Sequence, residues 1–267
     1  MLRTIEAGID PYDVEDLARA ADGTFCLADT GDNALNRSTV AVERLRQDRS
    51  ATRFRLTYPD GPHDAEAVLL APSGQLFIAT KEPLTSNVYT PTGPLSAARP
   101  TPLRKVASTG FLPTGTAGGP VGAAGQVVVT GGAVSPDGRT VVLRTYTDAY
   151  VWSAPNGDVG AAIASGKRRR IPLPSTAQGE AVAFSTDGRS LLTSTEGVPA
   201  PVHVVPLGDT AAPTAGPLRT TSPRAVAGAP DPDSSDGGDL LRTLLAPVVA
   251  VAALGAVLTF ALRRRRH

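Results

Sequence analysis

Apolar and polar positions along this 267-residue chain fall into one recurring figure. A short apolar run, a turn of the form Asp-Gly or Ser-Gly, and a second apolar run occur together over residues 15–32, 66–82, 130–146 and 180–196. The turns are Asp22-Gly23, Ser73-Gly74, Asp137-Gly138 and Asp187-Gly188. Aligned on them, the copies start at steps of 51, 64 and 50 residues. Asp-Gly supplies the positive φ of a tight hairpin turn. The flanking runs, such as residues 140–143 (TVVL) and 75–78 (QLFI), have the β-branched and apolar character of buried strands. A further strand is expected after each hairpin, at residues 39–45, 87–90, 149–153 and 202–206. A repeat of about 50 residues built from hairpins predicts an all-β fold, a β-propeller with four-stranded antiparallel blades. About four blades are visible. Few propellers close with so few, so the ring is expected to be incomplete, with edges left over. The alternative is an ordinary sandwich with several glycine turns.

The second half of the C-terminal region breaks the pattern. Residues 244–262 (LLAPVVAVAALGAVLTFAL) carry no charge and would span about 28 Å as a helix, close to the hydrocarbon thickness of a bilayer. Pro247 falls in the first turn, where its missing N–H does least harm. Arg263 to Arg266 follow directly, and clustered arginines beside a membrane helix stay cytoplasmic. Residues 209–239 are rich in Pro, Ala, Thr, Ser, Gly and Asp without hydrophobic periodicity, the composition of a disordered stalk, extended up to about 90 Å. The expected organisation is a propeller body over 1–208, a stalk over 209–239, a transmembrane helix over 240–262 and a basic cytoplasmic tail over 263–267. The body then lies outside the cell, on a single-pass anchor. The N-terminus lacks the apolar stretch of a signal peptide. That and the low blade count lead us to expect a missing upstream segment. The alternative, a tail-anchored cytosolic protein, sets the arginines against the positive-inside bias.

Composition adds little to this picture: 41% hydrophobic and 19% charged residues, with 27 Gly and 24 Pro, suit a β-rich globular body. Without Arg263 to Arg266 the chain has 22 basic and 25 acidic residues, so no nucleic-acid surface is expected. Lys167 to Arg170 form a short basic run, expected in a solvated loop. Cys26 is the one cysteine, so no intrachain disulfide exists, and a small buried strand residue is expected there.

Candidate chemistry clusters just ahead of the repeats: Asp13 and Glu15, Asp64 and Glu66, and Glu180, with Thr130 at the corresponding place in the third copy. Innermost propeller strands start near the central channel, so these residues are expected to converge there. Clustered carboxylates repel unless they take up a proton or a cation, and oxygen ligands suit calcium or magnesium. Otherwise they cap strand-entry N–H groups. Asp29, Asp32 and Asn33 surround Gly31 in a loop that reads either as an Asx-type turn or as a calcium loop. Lys81 and Arg144, at the ends of second strands, are candidates to bind an anionic ligand beside such a cation. His63, next to Asp64, is a candidate general base. No Gly-x-Ser-x-Gly elbow, zinc spacing or phosphate-cradling loop occurs.

The strings DPYDVEDLA, LADTGDN, YPDGPHDAEAV, SPDGRTVVLRTYTDAYVW and QGEAVAF resemble actinobacterial secreted or membrane-anchored β-propeller proteins, grouped with WD40-like or "esterase-like activity of phytase" propellers. The likeness covers residues 9–207. In that family a further blade typically precedes the first repeat seen here. Phytase-like relatives use calcium, carboxylates and basic residues to cleave phosphoesters. By that resemblance Asp13, Glu15, Asp64, Glu66 and Glu180 are candidate metal ligands, and Lys81 and Arg144 would face the phosphate. The expected function is a membrane-anchored extracytoplasmic binding module at the cell surface, for a protein, glycan or small ligand. The alternative is a calcium-dependent extracellular phosphoesterase or esterase.

Overall fold

A computed structural model describes residues 8–208. The stalk, transmembrane helix and basic tail read from residues 209–267 lie outside the described residues. Among the described residues no helix is long and apolar enough to cross a membrane.

Four antiparallel meanders follow one another. The first contains β1 (Val14–Arg19), β2 (Phe25–Asp29), β3 (Val40–Leu45) and β4 (Ala51–Thr57). The second contains β5 (Ala65–Leu70), β6 (Leu76–Thr80), β7 (Thr85–Pro91) and β8 (Thr101–Gly110). The third contains β9 (Gly131–Val134), β10 (Thr140–Arg144), β11 (Asp148–Ser153) and β12 (Arg168–Pro172). The fourth contains β13 (Gly179–Phe184), β14 (Ser190–Thr195) and β15 (His203–Pro206), three strands among the described residues. The outer strands β4 and β8 also touch through a short parallel pairing at Leu56 and Thr57, which joins the first two meanders at their rims. The first strands β1, β5, β9 and β13 pack side by side in succession.

Each meander is a blade stacked face to face on the next. One apolar cluster (Cys26, Val42, Leu56, Val68, Ile78, Tyr89 among others) fills the space between the first and second blades. A second, with Leu69, Phe77, Leu143, Tyr150 and Trp152, lies between the second and third. A third, with Val142, Val151, Val182, Leu191 and Leu207, lies between the third and fourth. This explains the unbroken apolar runs. In β6, Leu76 and Ile78 face the first blade while Phe77 and Ala79 face the third, so both sides of the pleat are buried. The turn glycines Gly23, Gly74, Gly138 and Gly188 all have φ between +70° and +85°, as the hairpin reading requires.

Two details depart from expectation. The basic run is a strand, not a loop: β12 pairs with β11 throughout. Arg168 and Arg170, two apart, share one face. The Arg168 guanidinium lies 4.7 Å from the Tyr150 ring centroid and 5.0 Å from that of Phe111. It covers the cluster and donates to the Gly110 carbonyl. Arg170 pairs with fully buried Asp148 at 2.7 Å. The second departure is a short helix, α1 (Val159–Ala164), between β11 and β12, N-capped by Asp158 Oδ1, which accepts from Ala161 N at 2.9 Å. Cys26 is buried, as expected, and burial pushes its thiol up to about 11.

Candidate functional site

Residue-level irregularity builds the site. In β1 the pairing passes from Val14–Asp29 to Asp16–Ala28, leaving Glu15 as an extra residue. In β5 it passes from Ala65–Thr80 to Ala67–Ala79, leaving Glu66. In β13 it passes from Gly179–Thr195 to Val182–Thr193, so Glu180 and Ala181 oppose one residue. All three candidate glutamates therefore sit at β-bulges at the start of an innermost strand. A bulge re-aims its side chain and flips the pleat after it. In β5 this puts Ala65 toward the first blade and Ala67 toward the third. The third blade pairs without a bulge. There Thr130 Oγ1 donates to the Gly179 carbonyl at 2.9 Å, tying the third blade to the fourth. The break in the acidic pattern is thus a blade-to-blade bond.

Several of these acidic groups are electrostatic neighbours at the starts of the innermost strands, the mouth of the blade stack. Glu15 feels the charges of Glu66, Asp13 and Asp64, and burial together with these neighbours pushes it up to about 9. Burial, with Asp64 and Glu180 nearby, pushes Glu66 up to about 8 although Lys81 opposes the shift. Burial also raises Asp64 and Glu180. The Lys81 ammonium sits among them. It is ion-paired with Glu66 Oε1 and 5.5 Å from the Tyr146 ring centroid. Burial alone would lower its pKa, but Glu66, Tyr146 and Asp64 outweigh burial and raise it. Gly31 is the floor of the mouth: a Cβ there would come within 2.6 Å of Asp13 Oδ2 and closer still to Glu15 Oε1. Next to Glu15 in β1, Asp16 Oδ2 accepts from Val68 N at 2.8 Å, and burial pushes its carboxyl up to about 7. Tyr146 and Asp16 were not singled out in the sequence.

The other candidates are engaged elsewhere. Arg144 is 1% exposed and donates to four main-chain carbonyls: Thr145 at 3.0 Å, Ala181 at 2.8 Å, Ser194 at 3.2 Å and Tyr146 at 3.0 Å. It laces the third blade to the fourth instead of facing an anion, and burial lowers its pKa to about 10. Lys81 likewise spends its charge on Glu66. The ring nitrogens of His63 meet carboxylates other than Asp64. Its Nδ1 lies 2.7 Å from Glu82 Oε1 and its Nε2 3.1 Å from Asp60 Oδ1, with the Tyr58 ring edge-on at 4.9 Å. The Asp29 to Asp32 loop spends its carboxylates on main-chain N–H groups and on Arg37, which lies 3.1 Å from Asp29 Oδ1. Asp29 accepts from Tyr12 N and Asp13 N, and Asp32 from Asn36 N and Arg37 N. Asp64 Oδ1 accepts from Asp32 N at 2.8 Å, which links the first two blades at the mouth.

Among the described residues no three His, Cys, Asp or Glu side chains form a group able to hold a metal ion. The donor set does not fit the calcium that the family resemblance implies, because the Lys81 ammonium already occupies Glu66 Oε1. A cleft of about 800 Å³ lies at the far end of the strands, around Ser73, Gly138 and Gly157, and takes no part in the mouth.

No family model matches the chain, and no curated protein matches it. Solved structures do. Hydrazine synthase of Kuenenia stuttgartiensis is similar at TM-score 0.42 and 15% identity, over 74% of this chain and 47% of that one. A putative 6-phosphogluconolactonase from Bacteroides uniformis is similar at TM-score 0.40 and 15% identity, over 73% and 53%. The β-propeller domain of Myceliophteria thermophila Cps50 (Swd1) is similar at TM-score 0.36 and 12% identity, over 70% and 50%. The chain spans about half the length of each.

Proposed function

We propose that this protein is a membrane-anchored, extracytoplasmic propeller module of the actinobacterial kind it resembles, which binds its ligand at the axial mouth. The observation that carries the reading is the convergence of Asp13, Glu15, Asp64 and Glu66 from two blades, and Glu180 from a third, around one lysine. Bulges aim the three glutamates there. The calcium-dependent esterase reading has less support. It needs basic groups free to face an anion, and Arg144 and Lys81 are committed to carbonyls and to Glu66. The anchor reading rests on the uncharged run at 244–262 and the arginines after it.

Protease shaving of intact cells expressing the full chain tests the topology, read with an epitope inserted at the Gly157 turn. Loss of the epitope, and release of the body into the medium on deleting residues 240–267, is the expected result. A protected epitope, or a truncated chain that stays with the membrane, overturns the anchor reading. Calcium-dependent turnover of p-nitrophenyl phosphate that disappears in Glu66→Gln would instead establish the esterase.

A further inference from the structure

We infer that the cleft between the second and third blades, at the far end of the strands from the mouth, is a seat for an acidic sugar, a pyranose that carries a carboxylate or a phosphate. The site is separate from the mouth and does not depend on what the mouth binds. Its volume of about 800 Å³ is that of a small-molecule pocket. The short helix α1, inserted after β11 of the third blade, packs against β8 of the second and contributes one wall. Gly160 permits that approach, since a Cβ there would lie 3.3 Å from Val106. Val106 is itself the extra residue of a β-bulge, because the pairing of β8 with β7 passes from Val88–Ala107 to Tyr89–Lys105. It packs against the apolar cluster between these blades, to which Phe77 belongs, and the two give the cleft an apolar lining. Arg104 stands two residues before Val106 along β8 and lines the same cleft.

The polar lining selects the ligand. Arg104, Lys105 and the amides of Gln75 and Asn156 are exposed in it. Among the described residues none of these four side chains has a hydrogen-bond or ion-pair partner. The two acids of the cleft are engaged at home. Asp137 Oδ1 accepts from Ser135 Oγ and from Arg139 N, and Asp158 Oδ1 accepts from Ala161 N at 2.9 Å. The charges left without protein contacts are therefore cationic, and they call for an oxyanion. An arginine fork takes a carboxylate or a phosphate in two parallel hydrogen bonds. The carboxamides are donor and acceptor at once, and so are the hydroxyl groups of a sugar. A bare inorganic anion would leave most of the cleft and both amides unfilled, whereas an oxyanion on a hydroxylated ring uses them together.

The test is calorimetric titration of the detergent-solubilised full chain with glucuronate, with glucose 1-phosphate and with glucose. We expect saturable binding of a charged sugar and none of glucose. Glucuronate alone binding identifies a carboxylate ligand, glucose 1-phosphate alone a phosphate ester, and binding of both a seat that takes either. Arg104→Gln, on an exposed side chain, should keep the wild-type melting profile and weaken binding at least about tenfold, the loss of one charge-assisted contact. Asn156→Ala should weaken it less. If the folded wild type binds neither charged sugar, if glucose binds as tightly as they do, or if Arg104→Gln binds like the wild type, the inference is wrong. Arg104 and Asn156 take no part in the mouth, so failure here leaves the reading of the mouth and of the topology where it stood.

Discussion

Lys81 decides the electrostatics of the mouth. Its side chain and that of Glu66 are 15% and 6% exposed, so the pair is screened little by solvent. Removing one partner leaves an uncompensated buried charge. Lys81→Met should cost roughly 3–5 kcal/mol in urea unfolding, and the double variant Lys81→Met with Glu66→Gln should recover much of it. An unchanged single variant would show that the pair is solvated. Glu15 makes a second prediction. Its folded pKa, pushed up to about 9, lies above its ordinary value of 4.5, and Glu66 (about 8) and Asp16 (about 7) follow suit. The folded state therefore holds protons that the unfolded state has released. Stability from these groups is full below about pH 4 and is lost as pH rises toward 9. The melting temperature should fall between pH 5 and 9, and Glu15→Gln should flatten that fall. A slope untouched by the substitution would place the titration elsewhere.

At the scale of the element, hairpin turns and bulges do different work. Gly138 and Gly188, at φ +74° and +70°, hold backbone that a β-branched residue resists. Gly138→Val and Gly188→Val should each lower stability by at least about 1–2 kcal/mol; an unchanged melting temperature would argue against the hairpin geometry. The Asp-Gly pairs made these turns legible, because a positive φ leaves its mark on residue choice. Bulges leave none. Nothing in EDLARA or EAVLL says that Glu15 and Glu66 are extra residues, since the extra residue exists only relative to the partner strand. The basic run was misread for a related reason. Arg168 and Arg170 look solvated until the rings and the Asp148 carboxylate that receive them are brought in from β8, β11 and the segment after β8.

Across the whole molecule, blades are held together by packed faces and by a few main-chain contacts near the mouth. Arg144 reaches from the third blade to the Ala181 and Ser194 carbonyls of the fourth. Gly131 permits that approach: a Cβ there would strike the Glu180 carbonyl, which is main chain and cannot swing away. Gly131→Ala should therefore destabilise by about 1–3 kcal/mol, with exchange of β13 and β14 amides faster than that of β5 and β6. Uniform protection across the four blades would contradict this weak seam. The first and last blades each leave one side uncovered among the described residues. Val14 and Leu17 are 41% and 57% exposed at one end, and Val202 and Val204 are 67% and 63% exposed at the other.

The repeat, its turns and the strand following each hairpin were all determined by the sequence alone. Each depends on a local period or on a turn residue, and such constraints are written where they act. Which charges remain available was decided only by the tertiary structure. Lys81 and Arg144 looked like anion ligands because a charge at a strand end reads the same whether it meets solvent, a carboxylate or a carbonyl. Glu66 and the carbonyls of the fourth blade claim them, and those partners lie 15 to 50 residues away in the chain. A distant partner alters the meaning of a charge without altering the residue that carries it.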